Sequence, residues 1–487
     1  MSFSAADIDR TREACHQVLT QHQLPGLALA VVHDGRLVYG EGFGWADIAK
    51  RRELTLSSRQ RIGSITKTMT ALCIMAQVDA GALRLDTPIV GLLPEVRFIG
   101  EGQAEALTIE HLLTHTGGIG EAPTRAHLQD PESELWSESP DLLPADDRYP
   151  DGIEIEVDPG TKWAYANHGY GLLGDILVQL ESAPLAQILR DRVLRPLGMR
   201  DSDIRDRPHH SLASGYHRAL STDERASRGN VELWASDEPP QDAVNIKGGY
   251  VYIPIPAAGS VQSTARDMAR YAVALLDQGA GIVDAASFAA MVAPQWEPHP
   301  RLTSLGLSFM RQERFGMASF GHGGGVVGGW NTELALFPER DLGVAIHFNL
   351  DNEVTTAARS TIIQAVLDAT VKPLPTIAPD AGIVAGAPGQ YEAAAGDLTN
   401  TRIRQSTGRI SIEEAEGGLR LRSRRGSYAE GVALRPADAD EPERFQIDDG
   451  AVEPLQVVFS KDESGRVDGL LMDRCVRMQR SADSRQV

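Results

Sequence analysis

The spacing of apolar residues predicts a helix and a hairpin at the start of the chain. Apolar positions recur at helical intervals from Ala5 to His22, and two apolar runs follow, Pro25–Val32 and Arg36–Gly42. The pair Asp34-Gly35 separates these runs, and such a pair is a strong signal for a tight hairpin turn. Helical spacing returns from Thr66 to Ala80. The chain is therefore predicted to begin helix, strand, strand, helix.

The middle of the chain is predicted to be mainly helical, with strands returning later. The helical stretches are Leu172–Gln179, Leu185–Leu194, Thr264–Leu276 and Val354–Leu367. Two strands are predicted before the last of these helices, at Thr332–Phe337 and Gly343–Phe348. Strands at both ends of a region with helices between them predict one mixed sheet, assembled from distant pieces and flanked by helices. The segments 130–158 and 236–242 are interpreted as surface excursions.

A change of composition near residue 372 predicts a second domain. The stretch Lys372–Pro379 is rich in proline and alanine, as semi-rigid linkers are. Short alternating segments follow, at Arg409–Ile412, Leu419–Leu421, Val457–Phe459 and Val467–Met472. We interpret them as a small antiparallel β-barrel. The predicted division is a first domain at 1–372, a linker at 373–386 and the barrel at 387–487.

Composition excludes several classes of function. A formal net charge of -20 opposes attraction to nucleic acid or to anionic membranes. The sequence has no apolar stretch long enough to span a membrane and no basic-then-apolar leader, so we expect a cytoplasmic protein. Cys15, Cys73 and Cys475 suit neither a disulfide framework nor a zinc site. The scattered histidines lack a ligand arrangement, and we expect no metal or cofactor. The oligomeric state stays open.

The candidate chemistry starts with Ser64 and Lys67. Residues three apart at a helix start face the same way, so these two side chains can touch. A serine hydroxyl is a poor nucleophile and needs a base, and a lysine serves as one only if its pKa falls well below about 10.4. Among the six lysines only Lys67 has a serine three positions earlier. Because Ser-x-x-Lys is a weak pattern alone, it needs partners.

Two further stretches supply candidate partners. Tyr165 follows a Pro-Gly turn, and a tyrosine near a cationic lysine can be held partly as phenolate and shuttle protons. Asn167 offers a donor and an acceptor for Lys67 and for a substrate amide. His322 lies in the glycine-rich stretch Gly321–Gly325, where bare backbone lets a ligand approach closely. Alone, Tyr-x-Asn is more often a packed aromatic residue beside a turn, and the glycine-rich stretch is more often a flexible loop with a surface histidine.

The order Ser-x-x-Lys, Tyr-x-Asn, then a basic residue with glycines resembles the β-lactamase-related serine hydrolases. Three more stretches resemble that family, namely Gly81–Pro88, Leu112–Gly118 and Pro159–Asn167. The resemblance implies an α/β fold of the β-lactamase/transpeptidase type, with a mixed antiparallel sheet, an all-helical subdomain and a C-terminal lipocalin-like barrel. It also implies that Ser64 is acylated, that Lys67 and Tyr165 form its base system, and that the Ser64 and Gly325 N–H groups form the oxyanion hole.

The chain departs from the family pattern where β-lactamases and many D-Ala-D-Ala peptidases carry Lys-Thr-Gly. Here the residues are His322, Gly323 and Gly324. A histidine is largely neutral at pH 7 and glycine has no hydroxyl, so carboxylate recognition by this motif should be weak. The motif is similar to that of family esterases and D-aminopeptidases.

The expected partner is a small ester, amide or short peptide, with Asn167, His322, Gly324 and Gly325 lining its site. Hydrolysis of D-amino-acid amides or peptides and carboxyl-ester hydrolysis stay open together. Acyl transfer or peptide cyclisation would use the same acyl-enzyme, and a non-catalytic scaffold is a further alternative.

Overall fold

The computed structural model describes residues 3–100, 102–129, 145–205, 208–218, 244–351, 354–393, 396–415, 417–424, 426–472 and 476–481. The predicted excursion at 236–242, most of the one at 130–158, and Cys475 lie outside these residues. Cys15 and Cys73 are buried free thiols.

The helices of the described residues, with their bounds, are α1 (Ala5–Gln21), α2 (Thr66–Asp79), α3 (Ile109–Leu113), α4 (Arg125–Gln129), α5 (Ala145–Arg148), α6 (Asn167–Glu181), α7 (Leu185–Leu189), α8 (Ala265–Leu276), α9 (Ala285–Val292), α10 (Val354–Leu367), α11 (Ala381–Gly386) and α12 (Thr401–Ser406). Short helical turns lie at Gly63–Ile65, Ile89–Gly91, Ala104–Ala106, Arg190–Leu194, Pro256–Ala258 and Pro338–Arg340.

The strands are β1 (Gly26–His33), β2 (Arg36–Asp47), β3 (Arg52–Glu53), β4 (Gln60–Arg61), β5 (Phe98–Gly100), β6 (Ile153–Ile155), β7 (Asp203–Ile204), β8 (Tyr216–Arg218), β9 (Asn245–Lys247), β10 (Val261–Ser263), β11 (Ser304–Leu305), β12 (Met310–Arg314), β13 (Met317–Val326), β14 (Trp330–Phe337), β15 (Leu342–Phe348), β16 (Gly389–Ala393), β17 (Ile410–Ala415), β18 (Gly418–Ser423), β19 (Val432–Pro436), β20 (Arg444–Asp448), β21 (Gln456–Lys461), β22 (Val467–Met472) and β23 (Val476–Arg480).

One large sheet joins the two ends of the first domain, as predicted. Its order is β11-β12-β13-β14-β15-β1-β2-β3. All pairings along it are antiparallel, so neighbouring strands alternate in direction, and β15 from late in the chain pairs with β1 from its start. The predicted hairpin is confirmed, since Asp34 and Gly35 connect β1 to β2 with φ of +50° and +67°. Those positive values are what a two-residue hairpin turn requires.

The central strands are buried on both faces. Along β1, Ala28, Ala30 and Val32 join the hydrophobic core that contains α2, α6 and α8, whereas Leu27 and Leu29 join the core formed with α1 and α10. Side chains alternate across a strand, so one strand contributes to both layers. The sheet is thereby fixed as a rigid platform between two helical layers.

Helix α6 begins five residues earlier than its predicted start at Leu172. Its first residue is Asn167, which places that amide at the helix N-terminus rather than in a preceding loop. Helix α7 ends at Leu189 and continues as the wider turn Arg190–Leu194. No single helix in the described part of the chain is long and apolar enough to cross a membrane; α6 and the helical segment at 185–194, bent by 83°, meet that test only as a pair, by length and composition.

The C-terminal strands β16 to β23 close into an eight-stranded barrel. Its interior is filled by side chains, among them Tyr391, Leu421, Phe445, Phe459 and Leu470, each no more than 2 % exposed. Ile383 of α11 packs into the same core. The predicted barrel is confirmed. The limits at 372 and 386 stay a prediction.

Residues 396–402, which we call the arm, form one of the contacts by which the barrel docks on the first domain. The buried carboxylate of Glu156 accepts hydrogen bonds from the N–H groups of Asp397, Leu398 and Thr399, and from the Thr399 hydroxyl. These bonds hold the pKa of Glu156 below its ordinary value despite burial. Gly120 lies against the arm, where an added Cβ would come 2.4 Å from the Leu398 carbonyl oxygen.

Candidate active site

Ser64 and Lys67 meet at the start of α2, as their spacing predicts. Ser64 lies in the helical turn Gly63–Ile65, and its Oγ is 3.1 Å from the Lys67 Nζ. The same Nζ donates to the Asn167 Oδ1 at 2.7 Å and to the Ala258 carbonyl oxygen at 2.8 Å. A neutral amine has two N–H donors for these oxygens and keeps its lone pair for the Ser64 hydroxyl. The arrangement suits a base that takes the Ser64 proton.

The Lys67 amine is fully buried, and its setting favours the neutral form. Burial lowers the pKa of Lys67 well below its ordinary value of 10.5, because a charged amine loses hydration in the interior. The carboxylate of Glu121 raises the pKa of Lys67, and the guanidinium of Arg402 lowers it further. The pKa of Lys67 is therefore lowered, as a lysine that acts as a base requires.

Tyr165 faces the same centre. Its ring centroid lies 4.9 Å from the Lys67 Nζ, and its hydroxyl forms a hydrogen bond with Ser64. Burial raises the pKa of Tyr165 to about 12, although Arg402 and Ser64 act in the opposite direction. The phenol is therefore neutral near pH 7, which corrects the partial phenolate expected from the sequence. Desolvation outweighs the neighbouring cations here.

His115 supports Tyr165 from behind, a role that the sequence did not reveal. The two rings stack with centroids 4.2 Å apart at 28°. The His115 Nδ1 accepts a hydrogen bond from the Ala166 N–H at 3.1 Å, which fixes the ring beside the turn that carries Tyr165. Burial lowers the pKa of His115 well below its ordinary value, so the ring acts as a neutral packing surface.

His322 lies on a strand rather than in the flexible surface loop that its glycines could also indicate. It is 4 % exposed on β13, and its Nδ1 contacts the Gly323 carbonyl oxygen at 2.5 Å. Its ring centroid is 6.3 Å from that of Tyr165. Burial, with Lys67 second, lowers the pKa of His322 to about 4, so the ring is neutral at pH 7. Position 322 therefore carries a neutral histidine where the Lys-Thr-Gly motif has a cationic lysine.

Glycines let the backbone of β13 approach the backbone of the turn Gly63–Ile65 closely. A Cβ on Gly324 would come 2.0 Å from the Ile62 carbonyl oxygen, and one on Gly63 would come 2.8 Å from the Gly325 nitrogen. The Thr332 hydroxyl donates to that Ile62 oxygen at 2.9 Å and ties the two segments together. This contact brings the Gly325 backbone beside Ser64, as an oxyanion hole requires.

Substituting Gly324 by alanine tests this close approach. The added methyl group has no room, so we expect Gly324→Ala to lower the free energy of unfolding by about 1–3 kcal/mol and to slow acylation of Ser64. Urea denaturation and labelling by a fluorophosphonate measure the two effects. Gly91→Ala is the matched control, since a Cβ there meets no atom within 4 Å. Equal stability of the two variants would show that the approach is not tight.

Glu121 and Arg402 complete the centre, and the sequence indicated neither. Glu121 accepts from the Asn167 Nδ2 at 3.0 Å and from the Arg402 Nε at 2.8 Å. The Arg402 guanidinium carbon lies 4.4 Å from the Tyr165 ring centroid. Glu121 lies three residues after the family-like stretch Leu112–Gly118, and this proximity could have indicated it. Arg402 comes from the arm of the barrel, for which sequence patterns give no signal.

The cleft over Ser64 runs between the first domain and the barrel. It encloses about 1130 Å³ and is lined on one side by Ser64, Tyr165 and His322, and on the other by Arg402 and Leu455. Drug-sized ligands usually occupy roughly 300–1,000 Å³, so an extended substrate fits. Within the described residues no cluster of histidine, cysteine or acidic side chains is placed to hold a metal ion.

Comparison with known proteins identifies the family. The beta-lactamase family model matches residues 10–368. Esterase EstB of Burkholderia gladioli is 30% identical over 222 residues, 44% of this chain and 56% of the esterase. The chain therefore spans about half the length of the curated relatives it matches.

Two solved structures show the fold. The octameric penicillin-binding protein homologue from Pyrococcus abyssi has a TM-score of 0.63 at 22% identity, covering 97% of this chain and 99% of that one. The D-amino acid amidase from Ochrobactrum anthropi SV3 has a TM-score of 0.57 at 21% identity, covering 74% of this chain and 99% of the amidase. With most of its first domain matched by the family model, the chain belongs to the beta-lactamase family.

Proposed function

We propose that this chain is a serine hydrolase that cleaves amide or peptide bonds of small D-amino-acid-containing substrates through an acyl-enzyme on Ser64. The observation that carries the proposal is the fully buried Lys67 amine, 3.1 Å from the Ser64 Oγ and with both of its other hydrogen-bonding directions occupied by carbonyl oxygens. Such an amine is suited to act as a base.

The proposed reaction uses only groups of the chain. Lys67 accepts the Ser64 proton as the Oγ attacks the substrate carbonyl carbon. The oxyanion that forms is stabilised by the Ser64 and Gly325 N–H groups, each contributing about 3–4 kcal/mol. Tyr165 is a neutral phenol that is hydrogen-bonded to Ser64, and it passes its proton to the leaving amine. Lys67 then returns a proton to Tyr165. Water then attacks the acyl-enzyme, and its proton returns to Ser64 by the reverse route.

The shape and charge of the cleft support this substrate class. A cleft of about 1130 Å³ between two domains accommodates a peptide better than a small ester. The neutral His322 provides no cation for the carboxylate of a β-lactam. An amidase of D-amino acids is among the proteins with this fold. A carboxyl esterase is the second candidate, favoured by the 30% identity to esterase EstB. Acyl transfer or peptide cyclisation would use the same acyl-enzyme.

Comparing chromogenic substrates separates these activities. We expect D-alanyl p-nitroanilide to be hydrolysed with kcat/KM at least about tenfold above its L-isomer, because a pocket fixed around Ser64 distinguishes enantiomers by roughly 1.4 kcal/mol or more. Nitrocefin should be turned over poorly. Release of p-nitroaniline measures hydrolysis of the D- and L-alanyl p-nitroanilides. Fast hydrolysis of p-nitrophenyl butyrate with no turnover of either anilide would instead assign the chain to the esterases.

A further inference from the structure

An unbroken chain of polar contacts links the barrel to the nucleophile. The Arg402 Nε donates to Glu121 at 2.8 Å, and the other Glu121 oxygen accepts from the Asn167 amide at 3.0 Å. The Asn167 oxygen accepts from the Lys67 Nζ at 2.7 Å, and that Nζ is 3.1 Å from the Ser64 Oγ. Glu121 and Asn167 each use a different atom for each neighbour, and the single Lys67 Nζ contacts both Asn167 and Ser64.

We propose that Arg402 and Glu121 are positioning residues, and that the barrel completes the active site by fixing the Asn167 amide and, through it, the Lys67 amine. Asn167 must present its oxygen to Lys67, and an amide can flip. Glu121 accepts only, so it binds the NH₂ end and excludes the flipped orientation. Arg402 in turn fixes Glu121. The inference rests on the proposed function of Ser64 and Lys67.

The placement of the arm supports a precise role for Arg402. Three backbone N–H groups of the arm bind Glu156, and Gly120, next to Glu121, packs against Leu398. Arg402 thus approaches Glu121 from a segment held on the same side of the site. Its side chain is 54% exposed toward the cleft, whereas Glu121 is 15% exposed. The docking contacts therefore fix the backbone near Arg402 independently of its side-chain contacts.

The two residues carry opposite charges toward Lys67. The other groups that face the amine are Tyr165, Tyr170, His115 and His322, and their pKa values are displaced so that all four are neutral near pH 7. Among the described residues Glu121 and Arg402 are therefore the charged groups that act on Lys67. Glu121 favours the protonated amine and Arg402 disfavours it. Only the unprotonated amine can accept the Ser64 proton.

Removing each residue should therefore shift the pH dependence of acylation in opposite directions. The rate of Ser64 acylation rises with pH as Lys67 loses its proton. Without Arg402 the ammonium is favoured, so Arg402→Ala should move this rise to higher pH. Without the Glu121 charge the ammonium is disfavoured, so Glu121→Gln should move it to lower pH. At pH 7 we expect Arg402→Ala to be acylated on the order of tenfold more slowly.

Fluorophosphonate labelling of the full-length protein tests this without a known substrate. The Ser64 Oγ attacks phosphorus, fluoride leaves, and the hydroxyl proton passes to Lys67. Intact-mass measurements at a series of pH values give the labelling rate for wild type, Arg402→Ala, Arg402→Lys and Glu121→Gln. Arg402→Lys keeps the positive charge and should recover most of the wild-type pH profile. Opposite displacements of the two other profiles would support the proposal.

Controls separate positioning from barrel docking. Glu441→Gln removes the carboxylate charge that pairs with Arg301, a contact that also joins the barrel to the first domain, and Arg404→Ala removes another arginine of α12. Both should keep the wild-type profile. The proposal is overturned if Glu441→Gln shifts the profile as Arg402→Ala does, or if Arg402→Ala and Glu121→Gln move it the same way or not at all. If Arg402→Ala fails to fold, Glu121→Gln alone decides by the direction of its shift. Absence of labelling on wild-type Ser64 would refute the proposed function itself.

Discussion

Ser64→Ala is expected to lower kcat by about ten-thousandfold or more, the largest loss that any single substitution in this chain should cause. The change removes one oxygen atom at a half-buried position, so the fold and the Lys67 contacts to Asn167 and Ala258 remain. Without the Oγ no acyl-enzyme can form. The residual rate would come from the oxyanion donors and substrate binding alone.

The measurement pairs turnover with mass spectrometry after fluorophosphonate treatment. Wild type should gain one adduct on Ser64, and the alanine variant none. Ser57→Ala is the matched control, since Ser57 is an exposed serine of the same domain whose hydroxyl accepts from the Arg266 Nε. It should keep full activity. Turnover by Ser64→Ala at the wild-type rate would refute the nucleophile assignment.

Lys67→Met is expected to lower kcat by about a hundredfold to ten-thousandfold, the usual contribution of a positioned general base. Methionine keeps the length and apolar character of the buried stem, so the loss reports on the amine rather than on a cavity. Lys50→Met is the control, because the Lys50 side chain is 74% exposed. Steady-state kinetics on the best substrate of the panel measures the effect. A loss below threefold would assign the proton transfer to another group.

The same variant makes a prediction about stability. The folded protein holds the pKa of Lys67 well below 10.5, whereas the unfolded chain titrates near that value. Below pH 10.5 the unfolded chain binds a proton that the folded state resists, which costs stability, and the cost grows as pH falls toward the folded pKa. Lys67→Met lacks this cost. The Tm of Lys67→Met minus that of wild type should therefore increase as the pH is lowered from about 10 to about 7.

Local patterns predicted most of the architecture. Helix α1, the hairpin at Asp34-Gly35 and helix α2 follow from spacing and turn residues within single segments, and the Ser64–Lys67 contact is itself local. The convergence of Tyr165 and Asn167 on that contact came from a resemblance to known sequences. Short-range physics fixes elements and their faces, but it does not determine which distant segments meet.

The features that the sequence did not predict have physical causes. The first five residues of α6 include Gly169 and Gly171, which disfavour helix, so the pattern began only at Leu172. Packing of the segment and the Asn167 contacts extend the helix to the site. Arg402 belongs to the barrel, and its position depends on how the barrel docks on the first domain. The spacing of apolar residues does not predict such docking. The phenol of Tyr165 is neutral because of burial, which depends on the assembled fold.

The arm has a consequence for how the protein can diversify. It connects β16 and β17 at the rim of a barrel whose interior is solid, so residues inserted or exchanged there disturb neither hydrophobic core. The barrel side of the cleft thus comes from a different part of the chain than the side that carries Ser64. Substitutions elsewhere in the arm can therefore change the wall of the cleft, whereas a substitution of Arg402 also removes a contact with Glu121.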